Sequence, residues 1–146
     1  MSLQSLVITS MLHVYIPLPF LNNSSNSIEM PITWQIPTLI LLTLIFHKKV
    51  VFSAFSIYII LGLFIIPVFH QGGSIGYLLT PNFGYLLGMY PLIKIIDSLN
   101  HRNRINTGNF LINGFKAIGA MHLTGIFYNL IQIIYYGDLN IFLYNL

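Results

Sequence analysis

Amide, glycine and aromatic residues at two points of the sequence could together bind a polar solute. The stretch "QGGSIGYLLTPNFGYLLG", residues 71–88, holds five glycines and no charged residue. Glycine lets backbone N–H groups approach a ligand. Asn82 stands near a predicted helix start, where free N–H groups favour an anion or a carbonyl oxygen. Earlier in the chain, Gln35 beside Trp34 could hydrogen-bond an amide-like solute or merely a neighbouring helix. Two interpretations remain open: a lid and wall over an outward-facing pocket, or a plain hairpin with a helix-packing face.

The composition indicates that lipid surrounds most of the chain. Of 146 residues, 55% are hydrophobic and 6% are charged, whereas soluble domains carry about 25% charged residues. The absence of cysteine excludes disulfides and Cys-ligated metals. The sequence therefore predicts an all-α integral membrane protein that forms a single membrane domain.

Five apolar segments are predicted to cross the bilayer, because a spanning helix needs about 20 mostly apolar residues. Cytoplasmic connections carry an excess of Lys and Arg, and here all six such residues fall in or beside the second and fourth connections. The N-terminus is therefore predicted to be cytoplasmic and the glycine-rich stretch to lie outside. The chain would then end outside, and since an even helix count is more usual in a compact bundle, we expect a sixth helix to be missing. The approximate spans are 3–20, 32–46, 50–69, 82–99 and 115–136.

Ionisable residues give little indication of chemistry. His122 lies inside the fifth predicted span, where an ionisable residue is a functional candidate. It is interpreted as a neutral histidine bonded to a facing helix, with ligand contact as the alternative. Lys94 and Asp97 are three residues apart and predict a surface ion pair on one helix face. No nucleophile–base spacing, carboxylate pair or phosphate loop indicates an enzyme, too few acidic residues are present for a metal site, and no basic surface indicates nucleic-acid binding.

Three segments resemble, in order and spacing, the BioY family, the biotin-specific substrate-capture (S) components of energy-coupling-factor transporters. The resemblance runs from about residue 29 to residue 134, and the sequences of these segments are similar to those of the cyanobacterial branch of the family. The segments are "MPITWQIPTLIL", "GLFIIPVFHQGGSIGYLLTPNFGYLLGMYP" and "MHLTGIFYNLIQ".

The resemblance implies a six-helix, multi-pass protein of the plasma membrane. It would bind biotin from outside and deliver it with an energy-coupling transmembrane subunit and paired ATPases, without a cofactor of its own. In the family, the sixth helix carries an acidic and a basic residue that help to hold biotin, and the first helix presents small alanines to the coupling subunit. This chain stops before that helix, and its "LQSLVITSM" lacks an Ala-xxx-Ala pattern.

Biotin combines a ureido ring, an apolar body and a carboxylate tail, and a buried carboxylate needs a cation or several N–H donors. Backbone N–H groups at Gly72 and Gly73 and at the helix start are candidates for the carboxylate. The other predicted substrate-binding residues are Gln35, Gln71 and Asn82 for the ureido group, Trp34, Tyr77, Phe83 and Tyr85 for the ring wall, and His122.

Two other functions remain open at the level of the sequence. The chain could be a small structural subunit of a membrane complex, in which the glycines serve helix packing. It could also be a truncated, non-functional relative of the family. Trp34 and Gln35 clustering with the glycines on one face favours the transporter subunit, since a packing subunit does not need them.

Overall fold

The computed structural model describes residues 2–17, 27–69, 73–100 and 107–136, and these form a helical bundle with a small hairpin. The order of elements is α1 Ser2–Met11, β1 His13–Pro17, β2 Ser27–Thr33, α2 Gln35–Ile45, α3 Lys48–Phe64, a 3-10 turn Ile75–Leu79, α4 Pro81–Asn100 and α5 Thr107–Tyr136. The five predicted helices are thus confirmed as helices.

The segment predicted as the first span is helical only at its start. α1 ends at Met11, and His13–Pro17 pairs antiparallel with Ser27–Thr33, so that Tyr15 stands opposite Glu29. The prediction of a helix over 3–20 is wrong beyond Met11, whereas the helical fold class is confirmed for the described residues outside this hairpin. Branched and aromatic residues in "HVYIP" favour a strand, and the second strand supplies the hydrogen-bonding partner that makes the extended backbone stable.

The helices α1 to α4 surround a common core, and α5 packs along α4. The ends of the helices alternate. We call the loop end the end where α1 finishes at Met11, α2 starts at Gln35, α3 finishes at Phe64 and α4 starts at Pro81. The lysine end is the opposite one, where α3 starts and α4 finishes. The most deeply buried core side chains include Leu6, Leu39, Phe55, Tyr58 and Leu92.

Glycines bring α4 and α5 into close contact, as the small-residue pattern of α4 predicts. A Cβ at Gly88 would lie 2.5 Å from the backbone oxygen of Met121, and one at Gly84 would lie 2.6 Å from Tyr128. On α5, a Cβ at Gly125 would meet the ring of Tyr85 at 2.6 Å. The helix-packing interpretation of Gly84 and Gly88 is therefore confirmed.

An ion pair closes the lysine end. The Lys48 ammonium lies 3.3 Å from the carboxylate of Asp97, joining the first turn of α3 to the last part of α4. The Asp97 side chain is 6% exposed and that of Lys48 is 44% exposed. The predicted pairing of Asp97 with Lys94 is wrong. Lys94 and Asp97 are about one turn apart on α4, but Lys94 is exposed, whereas Asp97 is buried and faces α3.

By length and composition, one helix within the described residues is suited to cross a bilayer, over Gly108–Tyr135. The apolar helix Gln35–Ile45 is shorter. The other predicted crossings stay predictions.

Candidate functional site at the loop end

Three buried polar side chains from different helices meet at the loop end around one backbone carbonyl. The Ser10 hydroxyl donates to the Val68 carbonyl oxygen at 2.9 Å, and the Tyr58 hydroxyl donates to the same oxygen at 3.4 Å. The Tyr58 hydroxyl also interacts with the side chain of Gln35. The loop that follows α3 is thereby fastened over the ends of α1 and α2.

Gln35, a predicted ureido ligand, lies beside the Tyr58 hydroxyl in this cluster. It is 6% exposed, and its Nε2 atom has no hydrogen-bond partner among the described residues. A buried donor left unpaired costs about 1–3 kcal/mol. Buried polar groups are usually bonded in folded proteins, so an unpaired amide N–H here indicates a place for an external acceptor.

An aromatic stack covers this cluster. The Phe69 ring meets Tyr58 edge-on with centroids 5.4 Å apart, and it lies 4.6 Å from the ring of Tyr77. Burial, and to a smaller degree the neighbouring Tyr58, raises the pKa of Tyr77 to about 12. The Tyr77 phenol is neutral at physiological pH with or without this shift, and its partly buried ring suits the role of aromatic wall that the sequence predicts for it.

The glycine-rich segment closes tightly on the end of α3. A Cβ at Gly73 would lie 2.5 Å from the Gly62 backbone oxygen and 2.6 Å from the Cα of Pro67, so only glycine fits. Ser74 donates its N–H to the Gly62 carbonyl at 3.1 Å and has a φ of 123°, a backbone region that favours glycine. A cavity of about 220 Å³ lies here, smaller than the roughly 300–1,000 Å³ of small-molecule pockets. Its lining is Gly62, Leu63, Phe64, Ile65, Ile66, Pro67, Gly73 and Ser74.

The 3-10 turn Ile75–Leu79 is fastened to α5. The backbone oxygen of Leu78 accepts hydrogen bonds from the Tyr128 hydroxyl and from Gln132 Nε2, the latter at 3.3 Å. The sequence interpretation did not include Tyr128 and Gln132. Their four-residue spacing, which puts two polar groups on one face of an apolar helix, was the available signal.

The remaining predicted residues of α2 and α4 are divided between the surface and the core. Trp34 is half exposed at the start of α2, and Asn82 is exposed in the first turn of α4. Phe83 is buried in the core, edge-on to Tyr128 at 5.8 Å. The structure thus places Gln35, Gly73 and Tyr77 at the same end of the bundle and buries Phe83 against α5.

His122 and Tyr85 contact each other on α5 and α4, with ring centroids 5.7 Å apart. His122 Nδ1 lies 3.0 Å from the Ile118 carbonyl of its own helix. The predicted bond to a facing helix is wrong, because the ring nitrogen pairs with the carbonyl one turn earlier on its own helix, and the contact of the ring with α4 is aromatic. Gln71 and Gly72 lie outside the described residues.

Asn129 on α5 is a buried polar residue that the sequence interpretation missed. It is 6% exposed, and its Oδ1 atom has no hydrogen-bond partner among the described residues. Gln35 and Asn129 are the buried side chains in the described part that leave a nitrogen or oxygen unpartnered, and both belong to the loop end. One offers a donor and the other an acceptor.

Comparison with known proteins finds a family match over nearly the whole chain. The sequence profile of the BioY family matches residues 1–143. A protein of Lysinibacillus sphaericus named "Probable biotin transporter BioY" is 39% identical over 75 residues. That match covers 51% of this chain and 34% of the relative, so the chain matches about a third of the relative's length. No solved structure matches the chain.

Proposed function

The chain belongs to the BioY family, and we propose that it is a multi-pass protein of the plasma membrane that binds biotin at the loop end for uptake. The name of the Lysinibacillus sphaericus relative supports biotin as the substrate. The observation that carries the proposal is the unpaired Gln35 amide beneath the aromatic stack of Phe69 and Tyr77. A ureido carbonyl is the acceptor that this N–H group lacks, and the stack offers apolar surface for the fused ring.

The proposed orientation puts the loop end outside. Lys48, Lys49 and Lys94 belong to the opposite half of the bundle, on α3 and α4, and the cytoplasmic side of membrane proteins is rich in such residues. Substrate captured at the loop end would then come from outside the cell. Delivery would need an energy-coupling subunit and paired ATPases, which we propose as partners.

The biotin carboxylate needs a separate explanation. The chain has no Lys or Arg between Val50 and Ile93 or from residue 117 onwards, so the loop end has no cation of its own nearby. We propose that backbone N–H groups of the glycine-rich segment around Gly73 partly compensate the carboxylate, and that a cation from a sixth helix completes the site.

A second candidate function, a structural subunit of a membrane complex, is favoured by the close approach of α4 and α5 at Gly84 and Gly88. It explains the glycines of α4. It does not explain the unpaired donor of Gln35. In a protein that only packs helices, this donor would lower stability without any benefit.

Equilibrium binding of labelled biotin to the detergent-purified chain tests the proposal, in parallel with a version extended by the sixth helix of a relative. Binding by either form, weakened about tenfold by Gln35→Leu, is the expected result. Thermal stability without biotin should not fall in this variant, because an apolar side chain replaces an unpaired amide.

Gln4→Leu is the matched control, since Gln4 is exposed on α1, and its affinity for biotin should equal that of the wild type. Absence of binding by both forms would overturn the proposal in favour of the structural subunit. Binding that Gln35→Leu leaves unchanged would remove Gln35 from the site.

A further inference from the structure

We propose that Asn129 is a specificity-determining residue whose side-chain oxygen accepts a hydrogen bond from a ureido N–H of the substrate. The inference rests on the proposed function and adds to it a residue on α5. It would make α5 part of the binding site as well as a packing partner of α4.

The position of Asn129 follows from the contacts of its neighbours on α5. Gly125, Asn129 and Gln132 follow one another at spacings of four and three residues and so share one face of the helix. One turn before Asn129, Gly125 contacts the ring of Tyr85. One turn after it, Gln132 reaches the Leu78 carbonyl. Asn129 therefore lies between these two contacts, opposite the residues at which α4 begins.

The environment of the Asn129 oxygen indicates the kind of group that it lacks. The side chain is 6% exposed and its Oδ1 atom has no partner in the described part of the chain. An amide oxygen accepts hydrogen bonds and donates none, so the missing group is a donor. A carboxylate or phosphate would place negative charge against this oxygen and does not fit.

The unpaired Nε2 donor of Gln35, at the same end of the bundle, offers the complementary half. A buried N–H group without a partner favours an acceptor. A ligand that fits both sides must present an N–H group and a carbonyl oxygen close together. A cyclic urea has this arrangement, with an N–H group on either side of one carbonyl.

The closed 3-10 turn explains why the oxygen is out of reach of water. Tyr128 and Gln132, which flank Asn129 on α5, both bond to the Leu78 carbonyl and hold the turn Ile75–Leu79 over this part of the helix. Substrate can reach Asn129 once these two hydrogen bonds open. The ureido N–H group then supplies the hydrogen bond that the Asn129 oxygen lacks while the turn is closed.

The test is a thermodynamic cycle between one side chain and one N–H group of the ligand. Biotin and two analogues, each methylated at one ureido nitrogen, are titrated against the full chain, or the extended form if only that binds, and against Asn129→Leu. We expect Asn129→Leu to weaken biotin binding about five- to tenfold. We also expect one methylation to weaken binding to the wild type by a similar factor and to have no further effect on the variant.

Asn113→Leu is the matched control, because Asn113 lies on the same helix and bonds to Asn109 of its own helix. It should bind all three ligands as the wild type does. If Asn129→Leu folds poorly, Asn129→Ala carries the same cycle.

Equal penalties for both methylations in wild type and variant, or an unchanged affinity for biotin in the variant, would overturn the role of Asn129 and leave it a packing residue. A wild type that binds no biotin in either form would instead overturn the proposed function itself. The two failures are therefore distinguishable.

Discussion

The two ends of the bundle differ in whether their buried polar groups have hydrogen-bonding or ionic partners. At the lysine end, the buried carboxylate of Asp97 is paired with Lys48. At the loop end, the amide groups of Gln35 and Asn129 each keep an atom without a partner. A buried charge that keeps its partner avoids the penalty of an uncompensated charge, whereas a buried amide atom without a partner costs stability until something else pairs with it. The contrast supports the proposal that substrate binds at the loop end.

The backbone shows the same contrast. At the lysine end, the His47 side chain accepts a hydrogen bond from the Lys49 N–H and so caps α3. At the loop end, Ser74 occupies a backbone region that is costly for any residue with a Cβ, and the carbonyls of Val68 and Leu78 are held by side chains from distant helices. Strain and long-range fastening are concentrated where the proposed ligand enters.

Separating α4 from α5 should change stability and binding most, because these helices connect the two ends of the bundle. Gly88→Leu puts a side chain against the backbone of Met121, which cannot move without shifting α5. We expect a loss of about 3 kcal/mol or more and loss of biotin binding, measured by thermal unfolding and ligand titration in detergent.

Gly119→Leu is its control, because nothing lies within 4 Å of a Cβ at that position on α5. It should retain the wild-type midpoint or exceed it slightly, since leucine has the higher helix propensity. Equal midpoints for the two variants would show that the close contact of α4 and α5 does not support the fold.

Removing either partner of the ion pair between Lys48 and Asp97 should lower stability by an intermediate amount. Lys48→Met leaves the buried Asp97 carboxylate without its partner and should cost about 2 kcal/mol, less than for a fully buried pair because Lys48 is partly exposed. Asp97→Asn leaves a lysine that can turn to water and should cost less than half as much. Chemical denaturation gives both values.

Neither lysine-end variant should change the affinity for biotin. An equal cost for the two substitutions would contradict the assigned burial, and a change in affinity would show that the two ends are coupled.

Relieving the backbone strain at the loop end should change the unfolding free energy least. Ser74→Gly should raise the unfolding free energy by about 1 kcal/mol, because glycine adopts the observed backbone conformation without cost. Ser98→Gly, the same change on the exposed surface of α4, should lower it by about 0.5–1 kcal/mol. Opposite signs in thermal unfolding are the expected result, and a loss at Ser74 would rule out strain there.

The sequence predicted the helices better than the contacts between them. Apolar segments around Gln35, Val50 and Asn82 identified three of the helices to within a few residues, and Gly84 and Gly88 identified the face on which α4 packs. The hairpin at His13–Pro17 was missed, because an apolar, branched segment suits a helix or a strand until a partner strand is known.

The site residues predicted from the sequence remain predictions. Gln35, Gly73 and Tyr77 lie at the loop end, while Phe83 and Tyr85 contact rings on α5. Asn129 was missed because an isolated asparagine in an apolar helix looks the same in the sequence whether or not its oxygen finds a partner.

Composition and the order of residues were enough to identify the apolar helical character of the chain, the alternation of apolar segments with basic connections, and the family. Which polar groups are paired depends on the fold. Lys48 rather than Lys94 bonds to Asp97, and Gln35 and Asn129 remain unpartnered, because each outcome depends on which helix faces which and on how closely glycine lets α4 and α5 approach. Pairing across helices depends on distance and direction in three dimensions, which spacing along a single chain does not contain.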